Sequence, residues 1–219
     1  MTRDEVLDAA LEIIDEEGLE ALSMRHLAKR LDTGSMRAYR HFSSKEDLLE
    51  ALADREARRV RSIDLSGISE PRELLLEAAC RTRDLLLEHP NLAPVVVSRP
   101  LSKATAADDL RLAGALLRSE GFADYQVGPV SAGLAAYTLG FVLYELGQRR
   151  FHQDSRDEML AFYDELAAGV SGDDLLAAQV AGIRGAVDDD WGSLQFRTGL
   201  KAMIDGFWSQ RALVDTRRS

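Results

Sequence analysis

Residues 23–45 read Ser-Met-Arg-His-Leu-Ala-Lys-Arg-Leu-Asp-Thr-Gly-Ser-Met-Arg-Ala-Tyr-Arg-His-Phe-Ser-Ser-Lys. Apolar residues at helical spacing predict a short helix after Ser23, which is a typical N-cap residue. Turn-forming residues at 32–34 then interrupt the pattern, and Ser35 can cap a second short helix. Two short helices joined by a tight turn that contains Gly are typical of a helix-turn-helix, whose second helix enters the DNA major groove.

The charge of this stretch is opposite to that of the chain. It holds six Lys or Arg residues against one Asp, a net charge of +5, whereas the whole chain of 219 residues carries −10. A basic island on an acidic protein is the electrostatic footprint of a polyanion that binds at one place. A solvated charged face on an ordinary pair of helices would give the same count, but the turn and the caps favour DNA binding.

A family resemblance follows from these motifs. The run Glu-Gly-Leu-Glu-Ala-Leu-Ser at 17–23 and the run Ala-Tyr-Arg-His-Phe-Ser-Ser-Lys-Glu-Asp-Leu-Leu at 38–49 resemble the N-terminal domain of TetR-type transcriptional regulators. The stretch His-Pro-Asn-Leu-Ala-Pro at 89–94 and the last apolar helix are similar to the C-terminal domain of the tetracycline-repressor-like subgroup. The chain departs from the family at Asp32 and Thr33, where family members usually have Gly followed by an aliphatic residue.

Helical periodicity and the resemblance together predict an all-α fold. Residues 1–63 are expected to form a three-helix, helix-turn-helix DNA-binding domain, and residues 64–219 a larger helical domain for ligand binding and dimerisation. Thr2 and Glu5 form a capping box for the first helix, which Gly18 should end. Further helices are expected over about 45–61, 71–89, 103–119, 126–149, 155–168, 174–181 and 192–212, with an apolar, turn-rich stretch over 92–100.

Composition excludes several classes of protein. No uninterrupted apolar run approaches eighteen residues, so no membrane span and no membrane partner are expected, and the charged N-terminus does not resemble a signal peptide. A single cysteine, Cys80, leaves no intramolecular disulfide and favours a cytoplasmic location. The four histidines lack metal-ligand spacing, so we expect neither a metal nor a cofactor.

The resemblance implies the residues that contact DNA. Arg25 and Arg37 match positions that read base edges, for which Arg offers two parallel donors to guanine. Tyr39 and His41 match phosphate or sugar contacts, although Tyr39 could instead be a core residue and His41 could cap the recognition helix. The predicted DNA-binding residues are Arg25, Ser35, Met36, Arg37, Tyr39, Arg40, His41 and Lys45.

The second domain is expected to bind a small molecule and a second copy of the chain. An apolar cavity with a few polar groups suits a drug-sized ligand, and the candidates are His89, Arg99, Tyr137, Phe141, Tyr144 and Glu145. Taken singly, each of these residues fits core packing or the surface better than a ligand contact. The last helix carries a stripe that looks too bulky and apolar to face water, so a dimer partner is expected to cover it: Leu200, Met203, Ile204, Phe207 and Trp208.

The sequence therefore predicts a homodimeric, ligand-responsive DNA-binding transcriptional regulator. In particular, it predicts a repressor that a small apolar or aromatic molecule releases from a palindromic operator in double-stranded DNA. One alternative is an all-helical small-molecule-binding enzyme, but the chain has no Gly-x-Ser-x-Gly, Walker or His-Glu-x-x-His motif and no catalytic residue to name. The other is a helical interaction protein with a degenerate DNA-binding head.

Overall fold

The computed structural model describes residues 2–32, 40–62, 64–98, 102–169, 174–188 and 191–211. Within these ranges all regular structure is helical, which confirms the predicted fold class. The helices are α1 (Arg3–Glu17), α2 (Met24–Arg30), α3 (Lys45–Arg61), α4 (Pro71–Glu88), α5 (Ala93–Ser98), α6 (Lys103–Ser119), α7 (Asp124–Gly169), α8 (Asp174–Asp188) and α9 (Trp191–Gln210), with a 3₁₀ turn at Leu19–Ala21. We call α1–α3 with their connections the head, and α4–α9 the body.

Local side-chain caps define where the head helices begin. The Thr2 hydroxyl accepts a hydrogen bond from the Glu5 amide at 3.2 Å, and the Glu5 carboxylate accepts one from the Thr2 amide at 2.7 Å, which confirms the capping box. Ser23 caps α2 and Ser44 caps α3, each at 3.1 Å from the amide three residues on. Each cap satisfies amides that the first turn of a helix leaves without an intrahelical partner.

The head core is completed by residues of the body. It is formed mainly by apolar side chains of α1, α2 and α3 around the buried ring of Phe42. Leu92, which directly precedes α5, and Val95 within α5 belong to the same buried cluster. The Asn91 side-chain amide also donates to the carbonyl of Ile14 at 3.0 Å, in the last turn of α1. The head and the body are therefore packed together rather than tethered.

The corner after α2 is made by an aspartate in a left-handed conformation. Asp32 has φ +48°, a region that glycine occupies readily and other residues occupy at a cost. Its amide donates to the carbonyl of Lys29 at 3.1 Å, which closes the turn. The sequence comparison with the family had pointed to this position, and the geometry shows why a glycine would suit it.

Asp32→Gly is therefore expected to raise the free energy of unfolding by up to about 1 kcal/mol, because relief of the left-handed strain exceeds the extra chain entropy of glycine. Thermal or urea denaturation measures the change. Asp32→Ala is the matched control, since it removes the carboxylate but retains Cβ and should not stabilise. Equal stabilisation by both substitutions would assign the effect to charge and refute the backbone explanation.

The body departs from the sequence-based helix boundaries at three places. α7 runs without a break for 46 residues, so the predicted interruption between residues 149 and 155 is wrong; that segment is polar but contains neither Gly nor Pro. Residues 93–98, predicted as turn-rich, form the short helix α5. α8 extends to Asp188 instead of ending near residue 181.

The first part of α7 is more apolar than we expected. The segment Asp124–Arg149 is long and apolar enough, by length and composition, to cross a membrane, and 22% of its most apolar window is buried inside the subunit. The prediction that no such segment exists was wrong, because it counted only uninterrupted apolar runs. One side of this segment packs against α4, α5, α6 and α9, and much of the other side is exposed.

The apolar stripe of α9 lies inside the subunit. Leu200, Ile204 and Trp208 are buried in one cluster with Phe196, and Met203 and Phe207 are partly buried. The Trp208 ring packs edge-on against Phe122 with centroids 4.9 Å apart. The expectation that a partner covers this stripe is therefore wrong for the three buried residues, since the stripe packs against α4, α6 and α7 of its own chain.

Candidate nucleic-acid interface and effector site

Four of the eight predicted DNA-binding residues fall within the described ranges. Ser35, Met36, Arg37 and Tyr39 lie outside them. The structure places Arg25 in the first turn of α2, Arg40 and His41 just before α3, and Lys45 as the first residue of α3.

Those four residues flank the turn and the segment where the recognition helix was predicted. Arg25 and Arg40 are exposed, whereas His41 and Lys45 are half-buried. The Lys45 ammonium donates to the Leu19 carbonyl at 3.1 Å, so this side chain also holds the 3₁₀ turn against α3. The guanidinium groups of Arg25 and Arg40 are thus accessible at the surface, while Lys45 has a structural partner within the head.

One arginine of the basic stretch is occupied by the head itself. The Arg30 guanidinium lies 2.7 Å from Glu16, 2.9 Å from Glu17 and 3.8 Å from Glu12, all on α1. Its hydrogen bond to Glu16 raises the pKa of Arg30 above its usual value. The count of +5 for residues 23–45 thus overstates the positive charge available there to a polyanion, because this cation is paired with α1.

The junction between head and body is a network of polar contacts. His89 Nδ1 lies 2.7 Å from an Asp15 carboxylate oxygen on α1, and Arg59 of α3 reaches Glu88 at 3.6 Å. Arg61, at the end of α3, pairs with Asp109 of α6 at 3.0 Å. His89, which the sequence had proposed for the effector site, is thus placed against α1. Arg99 lies outside the described residues.

Asn91 gives this junction a direct test. Asn91→Ala is expected to lower the free energy of unfolding by about 1 kcal/mol, because the side-chain hydrogen bond to the Ile14 carbonyl is lost while that carbonyl keeps the Gly18 amide as a donor. Asn91→Asp should cost more, since it places a carboxylate against the same carbonyl oxygen. Urea denaturation measures both. Wild-type stability in the aspartate variant would show that this contact contributes nothing.

An aromatic cluster brings three of the predicted effector residues together. Phe141 lies 5.9 Å from Tyr137, 5.8 Å from Tyr144 and 5.2 Å from Phe196, measured between ring centroids. The Tyr137 hydroxyl donates to the Phe196 carbonyl at 3.2 Å, and burial raises the pKa of Tyr137. Tyr144 remains 51% exposed at the outer edge of the cluster. Phe196 of α9 was not among the predicted effector residues.

A buried ion pair lies beside this cluster. Arg83 of α4 donates from Nε and Nη2 to the two carboxylate oxygens of Glu145, both at 2.7 Å. Arg149, one turn further along α7, donates to Glu145 at 2.8 Å. Sequence reasoning named Glu145 but missed Arg83, although its position at helical spacing from the buried residues Leu76 and Cys80 was a usable signal.

A surface depression of 160 Å³ between α4 and α9 is a weaker candidate for the effector site. Its lining is mostly charged: Glu70, Arg72, Glu73, Leu76, Lys201, Ile204 and Asp205. The charges pair among themselves, with Arg72 at 3.1 Å from Glu70 and Lys201 at 3.1 Å from Asp205. Such a lining does not suit an apolar molecule. The part of the chain that the structure describes also holds no group of three or more potential metal ligands.

Comparisons with known proteins agree with this architecture. The family described as bacterial regulatory proteins, tetR family, matches residues 6–52, and the tetracyclin repressor-like C-terminal domain matches residues 69–211. A helix-turn-helix-type transcriptional regulator of Saccharopolyspora erythraea is 33% identical over 168 residues, which cover 77% of this chain and 70% of that protein. The transcriptional repressor DrrR1 of Streptomyces coeruleorubidus is 34% identical over 149 residues, covering 68% of this chain and 55% of the repressor.

A solved structure extends the similarity over almost the whole chain. The Streptomyces coelicolor TetR family protein ActR, in complex with actinorhodin, superimposes with a TM-score of 0.74 at 25% identity and covers 97% of both chains. The two family matches account for the head and the body separately, in the order that the sequence had suggested. This chain belongs to the TetR family of bacterial transcriptional regulators and has a tetracycline-repressor-like C-terminal domain.

Proposed function

We propose that this chain is a homodimeric repressor that binds a palindromic operator and leaves it when a small apolar or aromatic molecule binds the body. The observation that carries the proposal is that the head shares a core with the body that contains the aromatic cluster. The exposed Arg25 and Arg40 form what we call the basic face of the head. The names of the relatives, and actinorhodin in the ActR complex, support the same function. We further propose that the protein is cytoplasmic and is not an enzyme.

α5 is the element that connects the two sites. On one side Leu92 and Val95 pack into the head core, and on the other Ala93 packs against Val142 and Leu146 of α7. These two α7 residues are interleaved with Phe141, Tyr144 and Glu145. A ligand that moves this part of α7 therefore moves α5, and with it α1 and α3, by as much as the ligand prefers the moved state.

We place the dimer contact on the exposed faces of α7 and α9, in place of the buried α9 stripe. The exposed residues that define this paired face are Ala132, Ala135, Ala136, Leu143 and Leu194. Small residues along α7 allow a second helix to approach closely, and the two leucines add apolar area. Pairing with a second copy also accounts for the apolar composition of Asp124–Arg149 without a membrane.

The basic face should control the salt dependence of DNA binding. Arg40→Ala is expected to weaken binding to every DNA sequence and to reduce the slope of log K against log salt by about one, because one phosphate contact is lost. Arg111→Ala is the matched control, since Arg111 is an exposed arginine of α6 in the body. Fluorescence anisotropy at several salt concentrations gives the slopes. Equal slopes for both variants would remove Arg40 from the interface.

The operator itself provides the test of the proposed function. Genomic fragments retained by the protein in the presence of heparin should share a palindrome, because a two-fold dimer presents two identical heads. Fragments without a common sequence would contradict the repressor. Half-sites arranged as a direct repeat, without two-fold symmetry, would contradict the proposed two-fold dimer.

A further inference from the structure

We propose that the effector carries an acidic group, and that Arg83 binds this group in exchange for Glu145. The inference rests on the proposed function only in calling the bound molecule an effector; the site itself stands on the packing of α4, α7 and α9. It assigns a chemical class, a planar aromatic acid, to the ligand of the body. Arg83 is the receptor for the acid, and Glu145 is the internal competitor that the acid displaces.

The first step is the burial of the pair. The side chains of Arg83 and Glu145 are 4% and 9% exposed and meet through two parallel hydrogen bonds. The first turn of α9 packs closely against the pair: a Cβ added at Gly192 would lie 2.7 Å from Glu145 and 3.1 Å from Arg83. The pair is therefore enclosed by three helices.

A buried ion pair contributes little net stability to a protein core. Removing two charges from water costs about as much as their attraction returns, so a buried ion pair is a poor way to stabilise a core that apolar side chains could fill. A buried guanidinium that is already oriented is, by contrast, a precise receptor for a carboxylate, because its parallel donors match the two oxygens. The geometry points to recognition as the role of Arg83.

The third step is the contact between this receptor and the aromatic cluster. The Arg83 guanidinium carbon lies 5.8 Å from the centroid of the Phe196 ring, which in turn stacks near Tyr137 and Phe141. An aromatic ring held by the cluster would place an acidic substituent at the guanidinium. Tyr144, exposed at the edge of the cluster and adjacent in sequence to Glu145, marks the side from which a ligand can enter.

The fourth step is that Glu145 and Arg83 each have a second partner. Glu145 also accepts from Arg149, whose side chain is about half exposed, and Arg83 also donates to Asp84 at 2.9 Å. When an acid takes the Nε and Nη2 donors of Arg83, Glu145 can turn toward Arg149 and water. Neither charge is left buried without a counter-charge, which makes the exchange energetically feasible. Because Glu145 lies beside Val142 and Leu146, the exchange acts where α5 contacts α7.

Two dyes with the same ring system test the acid specifically. One is 1-anilinonaphthalene-8-sulfonate, and the other is N-phenyl-1-naphthylamine, which lacks the sulfonate. Full-length protein should bind the sulfonate about tenfold more tightly than the amine, with one site per subunit, as a hydrogen-bonded charge pair implies. Arg83→Gln should reduce sulfonate affinity about tenfold and change amine affinity less than twofold.

Glu145→Gln is the decisive variant. It should raise sulfonate affinity several-fold, because Arg83 loses its internal competitor, while amine affinity stays unchanged. A purely structural ion pair would instead make both variants shift the two dyes in the same direction. Arg111→Gln, which removes an exposed arginine from α6, is the control and should alter neither dye. If Arg83→Gln does not fold, Glu145→Gln alone still decides the question.

The result that would overturn the inference is equal affinity for the two dyes, or a decrease in sulfonate affinity in Glu145→Gln. The absence of one-to-one dye binding would also overturn it. The outcome is independent of DNA. The protein could bind no operator and still show lower sulfonate affinity in Arg83→Gln and higher sulfonate affinity in Glu145→Gln. That result would support the acid site and contradict the proposed function.

Discussion

Leu194→Glu is expected to give a folded monomer whose affinity for the operator is at least about 100-fold lower than that of the wild type. Leu194 is 59% exposed on α9, so a carboxylate there does not disturb the subunit core. In a two-fold dimer the substitution occurs twice in one interface, and each copy places an unpaired charge in an apolar contact. A monomer holds one half-site at a time, so the gain from joining two heads is lost.

Analytical ultracentrifugation and anisotropy with the selected operator measure both effects. Leu112→Glu is a closely matched control: this leucine is 65% exposed on α6 and is not one of the residues that define the paired face. It should remain dimeric and bind operator normally. A Leu194→Glu variant that sediments as a dimer would show that the subunits pair through another surface.

Ile204→Glu, by contrast, is expected to lower the free energy of unfolding of the body by more than about 4 kcal/mol. Ile204 is 2% exposed within the cluster that joins α9 to α4 and α7. A carboxylate at this position would have to leave the apolar cluster to reach Arg72, Lys201 or water at the charged depression that Ile204 also lines, and the packing of α9 would be lost with it. The variant should lose helicity together with DNA binding, so no folded monomer is expected.

Circular dichroism during urea denaturation measures this loss. Ile204→Leu keeps the volume and the apolar character, and should cost less than about 1.5 kcal/mol. A folded, monomeric Ile204→Glu protein would restore the original assignment of this residue to the dimer interface. The substitutions at Leu194 and Ile204 thus distinguish the exposed face of α9 from its buried face.

Signals that act within one or two helical turns were readable from the sequence. Ser23 was predicted to cap α2 and does so, and Ser44 and Ser102 cap α3 and α6 in the same way. Gly18 ends α1 at φ +89°, as its position implied. The fold class and the motif-bearing head follow from such local rules, because they need no knowledge of distant contacts.

Contacts between distant residues were not readable. Arg83 and Glu145 are 62 residues apart, and a charged residue on an apolar stripe does not name its partner. The α9 stripe has the same appearance whether its own chain or a second copy covers it, and here its own chain does. The polar stretch near Arg149 resembles a loop in composition, yet the backbone stays helical because nothing in it breaks a helix.

The shared core of head and body has a consequence for how such regulators exchange their specificities. A recombination that joined the first 63 residues of this chain to the body of another regulator would leave the head without Leu92, Val95 and the Asn91 donor. The crossover that preserves the core lies beyond α5, so a functional chimera must inherit α4 and α5 along with the head. The position at which a functional chimera can be joined is therefore set by the packing of α5 against the head. It is not set by the turn at residues 64–67, which lies between α3 and α4.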